Sequence, residues 1–131
     1  MNIEQDKSEI EKTIQMFFDG FDDMNAELIN EAFYNGKIEM FTIRESGKLN
    51  KTPVSNFPKW FEQLKSQPDN IINKEKSKKN IIYIDITGYA ANAKVEYIFS
   101  TYKWTEYYNL LKIEDRWYIM NKIFNTEIFE E

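Results

Sequence analysis

Cysteine and histidine are both absent from this chain of 131 residues, and glycine and proline are scarce, at four and three. Without cysteine there is no disulfide framework, no thiol nucleophile and no thiolate metal site. Without histidine the commonest general base is missing, along with most metal-ligand sets. The glycines, Gly20, Gly36, Gly47 and Gly88, are too scattered to build a phosphate loop, a dinucleotide fingerprint or a nucleophile elbow. No loop has the converging oxygen ligands that calcium or magnesium needs, so neither metal nor cofactor is expected. No apolar run approaches membrane-spanning length, and Met1 to Glu11 is charged and lacks the apolar centre of a signal peptide. The expectation is a cytoplasmic location with no membrane partner. Net charge is −5 with both signs interspersed, whereas a nucleic-acid partner would call for a basic face. The one basic cluster, Lys74, Lys76, Lys78 and Lys79, reads as a solvated loop entering a strand, and the acidic pair Asp22-Asp23 as solvated surface.

Aromatic residues are plentiful instead. They make up 16% of the chain, within 42% hydrophobic and 30% charged residues. Many fall at periodic positions, which points to an aromatic-rich core or pocket. No linker, repeat or low-complexity tract divides the sequence, so residues 1–131 are taken as one domain, large enough to bury roughly two-thirds of its unfolded surface.

Ile10, Ile14, Phe17, Phe18 and Phe21 recur at helical spacing, and Ser8 with Glu11 fits a capping box at the start of a helix near residues 6–23. Gly20 inside that pattern costs about 1 kcal/mol relative to alanine, so a local contact must require it. A second helix near 25–34 follows Asn25, with Leu28, Ile29, Ala32 and Phe33 inward and Asn35-Gly36 as its stop. Lys37 to Arg44 is strand-like, and Gly47 sits in a turn. A third helix near 55–66 aligns Phe57, Trp60, Phe61 and Leu64, with Ser55 as cap, Pro58 in the first turn and Gln67-Pro68-Asp69 as terminator.

Two β-hairpins follow. Ile81 to Thr87 and Ala90 to Ser100 flank Gly88-Tyr89, a pair suited to a two-residue type II′ turn. That turn sets Ile86, Ile84 and Ile82 opposite Ala91, Ala93 and Val95 on an apolar face, with Asp85 opposite Asn92 and Tyr83 opposite Lys94 on the other. The second hairpin joins Trp104–Ile113 to Arg116–Phe124. A three-residue loop, with Asp115 left-handed, groups Tyr107, Asn109, Leu111 and Ile113 with Trp117, Ile119, Asn121 and Ile123. Lys112, Arg116 and Lys122 then share the opposite face, which segregates charge from the aliphatic set. The implied architecture is α+β, with three helices on the concave face of a curled, cone-shaped antiparallel sheet. Trp117, Ile119, Leu111, Val95, Ala93, Phe17 and Phe21 are expected in its core.

The block from Gly88 to Val95, with Glu106 to Ile113 and Trp117 to Phe124, resembles the family named "Putative lumazine-binding". That family lies in the nuclear transport factor 2-like superfamily with SnoaL-like cyclases and ketosteroid isomerase. The resemblance runs from about Ser8 to Thr126 and includes Asp19-Gly20; the family usually has Asp-Tyr where this chain has Glu106-Tyr107, and Asp-Gly where it has Glu114-Asp115. It implies the fold and leaves the chemistry open, since the fold hosts enzymes and non-enzymes alike. The missing histidines exclude the histidine-dependent dehydratases of the superfamily.

Isomerase chemistry needs a carboxylate base and donors for an enolate oxygen. The resemblance puts the base position on Phe41 and the tyrosine donor position on Phe17, neither of which can serve. Glu39, on the same strand face as Phe41, is the substitute base, against the plainer reading of an exposed strand glutamate. A second constellation is Tyr107, Asn109 and Asn121, polar residues on an otherwise apolar face. A buried amide either finds partners or faces a pocket. These three are expected to border a cavity that Trp60 or Tyr97 helps close. The leading reading is a domain binding a small apolar or aromatic molecule. The alternatives are an isomerase, cyclase or dehydratase using carboxylate or tyrosine acid-base chemistry, and a dimeric interaction module with a vestigial cavity. A homodimer is expected through an outer sheet face carrying Tyr108, Leu110, Tyr118, Met120 and Phe124, with Ile98 and Tyr83 beside it and Lys112, Arg116, Lys122, Lys94 and Glu106 as its charged rim. The competing cover for that face is the segment Thr126 to Glu131.

Overall fold

The computed structural model describes residues 2–34, 38–66, 77–99 and 101–129. Helix α1 spans Ile3–Asp22, and its apolar stripe buries Ile10, Ile14, Phe17 and Phe18. Its cap is Asn2 rather than the expected Ser8: the Asn2 Oδ1 accepts from the backbone N–H groups of Glu4 and Gln5 at 2.9 and 3.2 Å. Three residues later the backbone turns into α2, Ala26–Ala32, capped by Asn25 through the Leu28 N–H. The contact that requires Gly20 lies here. A Cβ on Gly20 would fall 2.7 Å from Ile29 Cγ1 and 3.1 Å from the Asn25 carbonyl oxygen, so glycine lets the two helices close.

Strand β1, Glu39–Ile43, turns through Gly47 into β2, Leu49–Pro53, a strand missed in the sequence because it is short and largely polar. A single 3-10 turn, Val54–Asn56, leads into α3, Phe57–Lys65, with Pro58 in its first turn. Ser55 lies in that turn, and no side chain caps α3. Phe57, Phe61 and Leu64 are buried and Trp60 is half-buried. The expected stops at Asn35-Gly36 and Gln67-Pro68-Asp69 lie outside the described residues, as do Lys74 and Lys76.

Strands β3 (Ser77–Thr87), β4 (Ala90–Phe99), β5 (Tyr102–Ile113) and β6 (Arg116–Ile128) complete one six-stranded sheet in the order β2-β1-β6-β5-β4-β3. The sheet is curled and unclosed. All neighbours are antiparallel except β1 and β6, which run parallel through Met40↔Lys122 and Phe41↔Ile123. The first hairpin turns on Gly88 at φ +57, with Ile86↔Ala91 and Ile84↔Ala93 as expected. A bulge then removes Ile82 from the ladder, so Ile81 takes the place opposite Val95 and Ile82 is exposed.

The second hairpin differs from the expectation at two points. Its turn has two residues: Glu114 and Asp115 both have positive φ, 49 and 66, and Lys112 pairs directly with Trp117. Beyond Asn109↔Asn121 and Leu110↔Ile119, Met120 is a bulge that shifts the parity of β6. The core face is therefore Glu106, Tyr108, Leu110 and Lys112 with Trp117, Ile119, Lys122 and Phe124. Leu111 is exposed instead of buried, and Phe21 is only partly buried. Charge segregation misled here because both lysines on the core face have buried carboxylate partners.

Candidate functional site

Alternation along β5 and β6 places three polar side chains under the helices. Glu106 and Tyr108 are two residues apart on one face of β5, and Lys122 stands opposite Tyr108 on β6. All three are buried, with Glu106 and Lys122 at 6% and 4% relative exposure. Lys122 Nζ donates to Glu106 Oε2 at 2.7 Å, and Tyr108 Oη donates to Glu106 Oε1 at 2.6 Å. The ammonium also lies 4.3 Å from the Phe17 ring centroid and 5.0 Å from that of Phe124. Burial pushes the Lys122 amine below its ordinary range, with Glu106 opposing that shift. Burial first, and then the Glu106 charge, holds the Tyr108 phenol well above its own.

Glu106 and Lys122 line a cavity of about 540 Å3, with Tyr108 behind them. Its walls are aromatic: Phe17 and Phe21 from α1, Phe57 and Trp60 from α3, Tyr97 and Trp104 from β4 and β5. The rings brace one another, Phe21 lying 5.5 Å from Trp60 and 5.2 Å from Tyr97, with Trp104 stacked on Tyr102. Asn50, Thr52, Asn56, Lys59 and Gln63 contribute its other polar lining, from β2, the 3-10 turn and α3. Among the described residues Glu106 is the only carboxylate in the lining. At another wall Tyr97 Oη donates to Asp22 Oδ1, and Lys79 Nζ pairs with Asp22 Oδ2. Asp22 is thus a buried anchor and not solvated surface. Burial pushes the Tyr97 phenol up to about 12.

Of the residues expected to border a cavity, Tyr97 and Trp60 line this one. Tyr107, Asn109 and Asn121 lie on the convex face, because the turn and bulge described above reverse their assignment. They join an amide ladder there: Asn92 Nδ2 donates to Asn109 Oδ1 at 2.9 Å and Asn109 Nδ2 to Asn121 Oδ1 at 2.8 Å. Tyr83 Oη closes its other end on Asn92. Glu39 is not in the cavity lining either; its half-buried carboxylate lies 3.3 Å from Lys51 Nζ. The same reversal relocates the expected outer patch. Tyr108 and Leu110 are core and Phe124 lines the cavity, while Tyr118 keeps its outward position and Met120 is the bulge. Of the expected rim, Glu106 and Lys122 are buried together, and Lys112 reaches Asp6. The polar cluster escaped sequence reasoning because Glu106 and Lys122 are sixteen positions apart, and only the correct register brings them together. Among the described residues no group of three or more Asp or Glu side chains could hold a metal ion. Among the described residues no helix is long and apolar enough to cross a membrane.

The helices packed against an unclosed, curled sheet are those of nuclear transport factor 2-like proteins. An NTF2-like protein of unknown function from Shewanella baltica is 23% identical over 97% of this chain and 98% of its own, with a TM-score of 0.82. Its counterpart from Silicibacter pomeroyi is 16% identical over 97% and 100%, with a TM-score of 0.79. A cystatin-like fold domain from Nostoc punctiforme is 12% identical, covering 95% of this chain and 78% of its own, at a TM-score of 0.68. Within that fold the chain belongs to the family described as "Putative lumazine-binding", whose model matches residues 5–125. No curated protein matches the chain.

Proposed function

We propose that this domain binds a small, largely apolar aromatic molecule in the cavity between α1, α3 and the concave sheet. The observation that carries this reading is an aromatic-walled space of about 540 Å3 with a few convergent polar groups, Glu106 and Lys122 foremost. That volume falls within the usual range for small-molecule sites. Apolar walls supply affinity by burial, and the polar groups fix orientation. Native mass spectrometry of the protein from its own cells tests it, together with calorimetric titration of mono-, bi- and tricyclic aromatic alcohols. A bound mass or a saturable heat is expected, and it should be lost in Thr52→Trp, which fills the cavity lining on β2. An apo chain that binds none of the probes, or a variant that binds them equally, overturns the proposal.

A second copy of the chain is the protein partner we propose, through the convex face. Tyr107, Leu111 and Ile123 are 36%, 41% and 51% exposed there, on neighbouring strands beside Tyr118 and the amide ladder. A self-complementary patch of this kind pairs about a two-fold axis. Sedimentation at micromolar concentration decides it, and a 15.8 kDa species is the overturning result.

A further inference from the structure

Lys122 is more than a counter-ion for Glu106: we infer that its amine is a nucleophile that forms a reversible imine with an aldehyde or ketone bound in the cavity. The inference rests on the binding reading above and names the class of ligand. A buried lysine in a purely structural pair would be sealed among side chains, whereas Lys122 lines the cavity. Its neighbours have the arrangement that activates a nucleophile, an amine within hydrogen-bond reach of a base that a third group orients. Here Glu106 Oε2 is 2.7 Å from Nζ, and the Tyr108 hydroxyl holds the other carboxylate oxygen at 2.6 Å. The Phe17 and Phe124 rings confine the amine on other sides, at 4.3 and 5.0 Å. The low polarity that burial imposes also favours the uncharged amine, the reactive form.

The chemistry balances without a further reagent. Glu106 takes one proton from the Lys122 ammonium, freeing the nitrogen lone pair. That pair attacks the carbonyl carbon, the C=O π electrons move to oxygen, and proton transfer from nitrogen gives a neutral carbinolamine. Glu106 then returns its proton to the hydroxyl as the C–O bond breaks. Water leaves, and the nitrogen lone pair completes an iminium beside the regenerated carboxylate. The sum is an aldehyde plus an ammonium giving an iminium plus water. General acid-base participation by a placed carboxylate contributes about 10²–10⁴ in rate. Lys79 has a similar arrangement with Asp22 and Tyr97 but does not line the cavity, so the carboxylate-tyrosine pair together with the cavity singles out Lys122.

The test uses the full chain, 2-naphthaldehyde as probe and sodium cyanoborohydride to reduce any imine to a stable amine. The unreactive 2-naphthalenemethanol serves as competitor. Intact mass and peptide mapping should show one adduct per chain at equimolar probe, on Lys122, formed at least about 10-fold faster than on any other lysine. The alcohol should suppress it. Glu106→Gln, where it folds, should slow labelling of Lys122 by about 100-fold. Adducts scattered over surface lysines with Lys122 unmodified, while the alcohol still binds, overturn the imine and leave the binding reading intact. If neither probe competes for or enters the cavity, the binding reading falls and the imine falls with it.

Discussion

The two faces of the β4–β6 sheet carry polar side chains in opposite ways. On the concave face Glu106, Tyr108 and Lys122 are buried and bond to one another. On the convex face Asn92, Asn109 and Asn121 form an equally regular chain of hydrogen bonds, open to solvent. Water competes for every bond of the amide ladder, so each adds little net stability. In the concave cluster Glu106 and Lys122 are only 6% and 4% exposed, so breaking one partner strands a charge in a poorly polarisable surrounding. Hydrogen bonding alone therefore does not mark a site. The informative combination is ionisable groups, burial and adjoining empty volume, and only the concave face has all three.

The strongest way to break that contrast is Glu106→Ala. It leaves Lys122 buried without its carboxylate and should cost about 3–5 kcal/mol, read from urea unfolding. The double variant Glu106→Leu/Lys122→Met removes both charges and is expected to recover most of that loss, since apolar replacement of a whole buried pair is often neutral. Equal losses in the single and double variants would mean that packing volume, rather than stranded charge, is what the concave face depends on.

A middle case is Asp6, at the start of α1, which accepts from Lys112 Nζ at 2.9 Å and from Trp117 Nε1 at 3.1 Å. The Lys112 hydrogen bond first, then that from Trp117, lowers the Asp6 carboxyl below its ordinary 3.8. Its contribution to stability is therefore present above pH 3.8 and lost as pH falls through the lower folded value. Lys112 is shifted upward from 10.5 chiefly by the same hydrogen bond, so its contribution holds below that pH and fades as pH rises through the folded value. Asp6→Asn should lower the urea midpoint at neutral pH and flatten its fall below pH 3.8. An unchanged acid limb in the variant would remove Asp6 from this account.

Much of this was legible in the residues. The helical stripes, the Gly88 hairpin and the aromatic excess sufficed for the fold, because each is a local pattern with a fixed period. The faces of the second hairpin were not legible, and the reason is specific. Glu114 and Asp115 occupy a two-residue turn with positive φ at both positions, where asparagine or glycine is the usual signal. A turn one residue shorter reverses every side chain before it relative to those after it. The Met120 bulge then changes the parity of β6 again, bringing Lys122 inside. Sorting charges outward failed because the lysines concerned pair with Asp6 and Glu106, which are distant in sequence. Trp60 and Tyr97 lie off this hairpin, and their placement did not depend on its register.

The smallest effects should come from the convex face, and they sharpen the comparison because a null result on one property is required with a change in another. Asn121→Leu removes the acceptor at one end of an exposed ladder, so monomer stability should move by no more than about 0.5 kcal/mol. Binding of an aromatic alcohol in the cavity should be unaltered, since Asn121 and the cavity are on opposite sides of the sheet. Tyr107→Lys should be similarly mild for the monomer. It places a second cation beside Lys94, whose Nζ lies 5.5 Å from the Tyr107 ring. In a two-fold pairing of convex faces that charge is brought against its own symmetry mate or against Lys94, and like charges there weaken association. Sedimentation should shift toward monomer in Tyr107→Lys with calorimetric binding unchanged. If either variant weakens the ligand as much as Thr52→Trp does, the separation of the two faces is wrong.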